Sequence, residues 1–181
     1  MLVENLILNE TNFFESNNSD ALLESTPPII GCLISDNDGK SIVSFELYKG
    51  ALEYFIKRGM NDSRKEEIFD LDLIPMYVCA LKRVSEEINI QDLPSIELTG
   101  TNIKIQILFT DEFTIIFFLN PIIKFKIVKK FIENYLLNFF EEFIDDLRDI
   151  RKISSFDFIF FLERLGWEWI LELNDLYLKL T

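Results

Sequence analysis

Histidine is absent from this chain, and glycine and cysteine are scarce, with 6 and 2 residues. The first absence removes the commonest general base, proton shuttle and metal ligand together. So few glycines leave no Gly-x-x-x-x-Gly-Lys, Gly-x-Gly-x-x-Gly or Gly-x-Ser-x-Gly run, so the backbone has no phosphate cradle or nucleophile elbow to offer. Cys32 and Cys79 lie far apart in apolar segments without a Cys-x-x-Cys pair, which predicts buried free thiols in a reducing compartment rather than a zinc site. Cations are in deficit: 18 Lys and Arg against 31 Asp and Glu give a net charge of −13. That balance argues against a nucleic-acid partner. Long apolar runs are missing too. The most apolar stretch, Phe113 to Leu119, is too short to cross a bilayer as a helix. No basic segment followed by an apolar run opens the sequence, so no secretory signal is expected, and a cytoplasmic protein is.

What the chain does have is core-forming material. Hydrophobic residues make up 49% of its 181 positions, and 18 of them are Phe. A single domain of this size buries roughly 70% of its unfolded surface, so no disulfide or metal staple is required.

The pattern along the chain alternates turn chemistry with apolar runs. Ile29 to Ser35 and Ser41 to Leu47 flank Asp36-Asn37-Asp38-Gly39, a hairpin signal because Asn, Asp and Gly tolerate positive φ. Tyr48, Leu52, Phe55 and Ile56 follow at helical spacing, with Gly59 as a C-terminal stop, and Asn61 to Glu67 is a charged loop. From Asp72, a predicted N-cap, Ile74, Tyr77, Val78, Leu81, Val84 and Ile88 form the expected inward face of an amphipathic helix. Ser95 to Thr99, Ile103 to Phe109 and Phe113 to Leu119 read as a meander turned by Gly100-Thr101-Asn102 and Thr110-Asp111-Glu112. Ile103, Ile105, Ile107 and Phe109 share one face of the middle strand; Lys104, Gln106 and Thr110 share the other. The Ile29 and Phe113 strands are apolar on both faces, so both faces must be covered and both strands belong mid-sheet. A long helix over 122–150 follows, with Val128, Phe131, Ile132, Tyr135, Leu136, Phe139, Phe143, Leu147 and Ile150 inward. A last helix, capped by Ser154 or Ser155 and bending at Gly166, carries Trp167 and Trp169. The expected fold is α+β: a five-stranded antiparallel sheet in β-β-α-β-β-β-α-α order, covered by helices on both faces. Residues 1–28, with five acids and no Lys or Arg, read as a loosely docked or mobile acidic arm.

Residue chemistry indicates no reaction. Glu141, Glu142, Asp145, Asp146 and Asp149 recur at helical spacing, but their helix spends its other face on the core, so they read as a solvated face and not a metal site. The Asp36 turn lacks the remainder of a calcium loop. Lys124, Lys126, Lys129 and Lys130 form the one dense basic cluster; they read either as ordinary solvated lysines or as a contact for an anionic partner surface or lipid head groups. Trp167 and Trp169 are interface anchors or core residues.

The order of hairpin, helix, three-strand meander, long helix and terminal helix resembles the longin domain of the longin/roadblock superfamily. The resemblance runs from about Ile29 to Leu165, on the turn Ser35-Asp36-Asn37-Asp38-Gly39-Lys40, the Asp72 to Ile88 helix, and the Gly100-Thr101-Asn102-Ile103-Lys104-Ile105 and Phe113 to Pro121 segments. Archaeal longin-like proteins that accompany Ras-like GTPases look most similar. Residues 29–181 then form one longin-like domain with an extended 48–70 insertion and an aromatic-rich C-terminal helix. The resemblance implies a non-enzymatic module, without cofactor or metal, that binds a Ras-like small GTPase or another longin/roadblock-fold protein and touches membranes at most peripherally. Alternatives are a self-assembling structural subunit, including a homodimer, and a small-molecule sensor holding an apolar pocket under the helices. Strand-edge pairing through Ser41 to Leu47 (Ser41, Val43, Phe45) or Ser95 to Thr99 is the expected mode, with Lys124, Lys126, Lys129, Lys130 and Trp167 as further contacts.

Overall fold

The computed structural model describes residues 26–58, 70–90, 92–150 and 156–181. Nine elements lie in this range: β1 (Ile29–Asp36), β2 (Ser41–Glu46), α1 (Ala51–Arg58), α2 (Leu73–Glu87), β3 (Ser95–Thr99), β4 (Lys104–Phe109), β5 (Phe113–Leu119), α3 (Phe125–Ile150) and α4 (Phe156–Leu180). The fold is mixed α+β, with one five-stranded sheet in which every pairing is antiparallel, in the order β2-β1-β5-β4-β3. The order of elements differs from the expected one by α1, a real helix inside the stretch 48–70. Of the acidic arm, residues 1–25 lie outside the described range, as do the Asn61 to Glu67 loop, Gly59 and the Ser154/Ser155 cap.

β1 and β5 are buried along their whole length and lie side by side at the sheet centre. On one face Cys32 sits between Phe45 and Phe117 across the strands, under α3 and α4. The ring of Phe45 meets Phe139 at 5.6 Å and Trp169 at 6.2 Å, both edge-on. Phe117 meets Trp169 at 5.8 Å, and Tyr135 stacks on that indole at 4.0 Å. These offset and edge contacts let aromatic faces meet positive ring edges, adding to the burial itself. The abundance of Phe thus has a location, the layer between the sheet and the two long helices. The other face is covered by α1, whose Leu52 lies over Gly31, and by α2, whose Lys82 ammonium stands 5.3 Å over the Phe109 ring.

Three local readings are corrected. The last helix runs unbroken through Gly166. That glycine serves close approach, since a Cβ there would fall 2.0 Å from the Phe45 ring. Asp72 occupies the N-cap position of α2 without making a side-chain cap bond, and Asp70 Oδ1 accepts the Asp72 N–H instead. The long helix starts at Phe125, and Phe131 from its supposed inward stripe is exposed.

The largest correction concerns α2. Its buried positions are Pro75, Val78 and Ser85, whereas Leu73, Met76, Tyr77, Leu81, Val84 and Ile88 face outward. The helix is turned by about one residue, roughly 100°, from the orientation that its hydrophobic periodicity predicts. Its seat is specific: Cys79 Sγ donates to Asn37 O at 3.0 Å, and Met76 backbone crowds Gly39 in the hairpin turn.

Candidate interaction surfaces

The residues singled out in the sequence fall in two separate places. Ser41, Val43 and Phe45 are on β2, one edge of the sheet; Ser41 is half-buried and the other two are buried. α4 lies across them, with Gly166 against Phe45 and the Trp167 indole N–H donating to Leu47 O at 2.8 Å. Trp167 remains 39% exposed, and Trp169 is core. Val43 and Phe45 side chains are therefore committed inward, leaving β2 only its main chain for a partner. Glu46 Oε2 accepts the Leu52 N–H at the start of α1 at 3.5 Å. Burial pushes the Glu46 carboxyl pKa up, opposed by the N–H groups of Leu52, Gly50 and Ala51.

Lys124, Lys126, Lys129 and Lys130 are exposed at the start of α3. The first three form one wall of a groove of about 560 Å³ whose floor is β3 and β4, with Ser95, Glu97, Lys104 and Gln106. Lys104 and Gln106 lie on the face of the sheet shared with Phe117 and Leu119, and both are buried. Lys104 is only 8% exposed; its ammonium donates to Ile123 O at 2.8 Å and stands 3.6 Å from Glu97. Gln106 donates to Ile96 O at 3.3 Å. A buried lysine is tolerated because a carbonyl and a carboxylate replace part of its lost hydration. Lys129 pairs with Glu133 at 3.5 Å. Lys130 lies outside the groove lining.

The third surface was not anticipated as such. Tyr77 (67% exposed), Leu81, Val84 and Ile88 (65%) form an outward stripe at i, i+4, i+7 and i+11, flanked by Leu73 and Met76. β3, the other sheet edge, follows α2 in the chain, and its Leu98 is exposed as well. A contiguous apolar patch of this kind marks a contact site, whereas isolated exposed apolar residues do not. The warning sign was in the sequence: α2 carries more apolar residues than one buried face can hold.

The titratable groups with displaced pKa values are packing consequences. Burial pushes the Cys32 thiol up, and burial, followed by the charge of Glu172, pushes the Tyr135 hydroxyl up to about 12. The Arg148 guanidinium, hydrogen-bonded to Glu112 and Asp145, is held above its usual range; through it α3 is tied to the β4–β5 turn. Glu141, Glu142, Asp145 and Asp146 are solvent-facing or nearly so, and no group of three or more metal-ligating side chains forms among the described residues. No helix among them is long and apolar enough to cross a membrane.

No protein-family model matches the sequence, and no curated protein matches it.

Proposed function

We propose that the chain is a non-catalytic protein-binding module that docks a partner on the outer stripe of α2, with the β3 edge of the sheet as a further contact. The observation that carries this reading is the exposure of Tyr77, Leu81, Val84 and Ile88 on a helix whose opposite side is fastened down by Val78, Cys79 and Pro75. Keeping four large apolar side chains in water costs stability, each forgoing about 1.5–3 kcal/mol of burial. A partner that covers them recovers that free energy. β3, at the edge of the sheet, offers unpaired main-chain groups for strand addition as well.

The longin resemblance suggests what the partner is: a Ras-like small GTPase, or another longin/roadblock-fold protein, with this chain as adaptor or regulator. The test is size-exclusion chromatography with light scattering on the chain alone and mixed with small GTPases loaded with GDP or a GTP analogue. A nucleotide-dependent complex that Leu81→Lys abolishes supports the reading; no complex in either nucleotide state removes the GTPase from it. The heptad-like spacing of the same stripe favours a second reading, a homodimer through paired α2 helices. In that case the chain alone elutes at twice its mass, and Leu81→Lys returns it to monomer.

A further inference from the structure

The groove beside α3 is the strongest basic feature in a chain of net charge −13. We propose that its occupant is the acidic segment of the same chain, residues 1–25. This site is distinct from the α2 stripe and does not depend on the reading given for that stripe.

Three observations converge on that occupant. The first is position. Asn120 holds the start of the described chain, its side-chain amide donating to Thr26 O at 2.9 Å and its N–H to Pro28 O at 3.0 Å. The same Asn120 accepts the Ile122 N–H on Oδ1 at 3.1 Å, and Ile122 begins the groove wall. The first described residue, Thr26, is thus tied through Asn120 to the segment that begins the groove wall. The second is charge. Lys104, Lys124, Lys126 and Lys129 line the groove against the single acid Glu97. Among the described residues Lys124 and Lys126 have no ion-pair partner. Residues 1–25 hold Glu4, Glu10, Glu15, Asp20 and Glu24 and no cation. The third is apolar content. Ile122 is exposed on the rim, and Leu108 and Ile127 lie between the lysines, while Leu22 and Leu23 directly precede Glu24.

Glu24 is two residues from Thr26, at most about 7 Å of extended chain. A short tether holds such groups at millimolar effective concentration, so weak exposed ion pairs are enough to seat the segment. Because those pairs face solvent, docking is salt-sensitive, with screening over about 10 Å at 0.1 M ionic strength.

The test is lysine footprinting on the full chain. Acetylation rates of Lys124, Lys126 and Lys129 are read by mass spectrometry against Lys57 and Lys179, at low salt and at high salt. The same rates are read in a variant carrying Glu4→Gln, Glu10→Gln, Glu15→Gln, Asp20→Asn and Glu24→Gln. A docked segment slows the three groove lysines roughly threefold or more at low salt by covering them; high salt and the amide variant both abolish the effect. Equal rates in the two proteins overturn the proposal. Zero-length carbodiimide cross-linking of the unaltered chain, mixed with an isotope-labelled copy, gives the second readout. Bonds from Asp20 or Glu24 to groove lysines within one copy support it, and bonds found only between copies overturn it in favour of an exchanged segment.

Discussion

At Gly166 the packing of the last helix turns on one missing atom. A Cβ there would sit 2.0 Å from two carbons of the Phe45 ring, and that ring is wedged between Phe139 and Trp169. Alanine would gain about 1 kcal/mol of helix propensity, but the overlap has nowhere to go, and overpacking of this kind costs about 1–3 kcal/mol. Gly166→Ala should therefore lower the urea midpoint, and combining it with Phe45→Leu should cost less than the sum of the two single changes. Glu46 provides a pH-dependent counterpart. Its carboxyl is raised in the folded state, chiefly by burial, so folding disfavours its charged form. The corresponding stability is fully present below the unfolded pKa and is lost as pH rises through the folded value. Glu46→Gln should accordingly raise Tm at pH 7 and leave it unchanged near pH 3.5. A lower Tm at pH 7 would mean that the N–H groups at the start of α1 outweigh the desolvation. Neither residue declares its role in the sequence: Gly166 reads there as a helix bend, because only the tertiary contact with a residue 121 positions away explains it.

Among the elements, α2 separates what hydrophobic patterning reveals from what it does not. Five consecutive apolar residues in β5, Ile115 to Leu119, demand cover on both faces, so its central place was legible without coordinates, as were the flanking turns. For α2 the same logic named the right helix and the wrong inward face. Periodicity assumes that the most apolar face goes inward, whereas the seat is fixed by Val78, Cys79 and the hairpin turn. The observed orientation makes a sharp prediction. Leu81→Lys should change unfolding free energy by no more than about 0.5 kcal/mol, while Val78→Ala should cost roughly 1.5–3 kcal/mol; the reverse order would mean that the helix is turned the other way. In β4, alternation assigned Lys104 and Gln106 to a common face, but gave no sign that this face too is largely closed. The carbonyl that receives the Lys104 ammonium belongs to Ile123, in the segment that leads into α3, and no local pattern encodes that meeting. Lys104→Met, which keeps the stem and removes the charge, should be tolerated better than Lys104→Ala. Both variants orphan the Ile123 carbonyl, at about 1–3 kcal/mol, but the alanine alone adds a void, and chemical denaturation of the two variants distinguishes them.

The whole molecule is closed by contacts between its distant parts. Asn174 in the last helix donates to Ile29 O and accepts the Ile29 N–H, each at 2.8 Å and 145 residues away in sequence. A buried side-chain amide that satisfies both main-chain groups of one residue acts as a latch between α4 and the start of β1. Asn174→Ala would orphan both groups, and thermal unfolding should show a loss of several degrees without a change in secondary structure at low temperature. The five-stranded sheet and its two coverings follow from burial demands visible in composition and turn spacing. The surfaces did not, since surfaces are what the core leaves over, and the groove arises where the start of α3 meets β3 and β4.

The place of β1 at the sheet centre also has a consequence in time. Its β2-side edge can pair as soon as the hairpin emerges during synthesis, but its other edge waits for β5, some eighty residues later. At translation rates of about 5–20 residues per second, that interval is roughly 4–16 seconds. For that period the strand with every residue destined for burial is half-zipped, with an open row of main-chain donors and acceptors. Yield in the cell should then depend less on the stability of the finished fold than on what shields that row while the ribosome is still working.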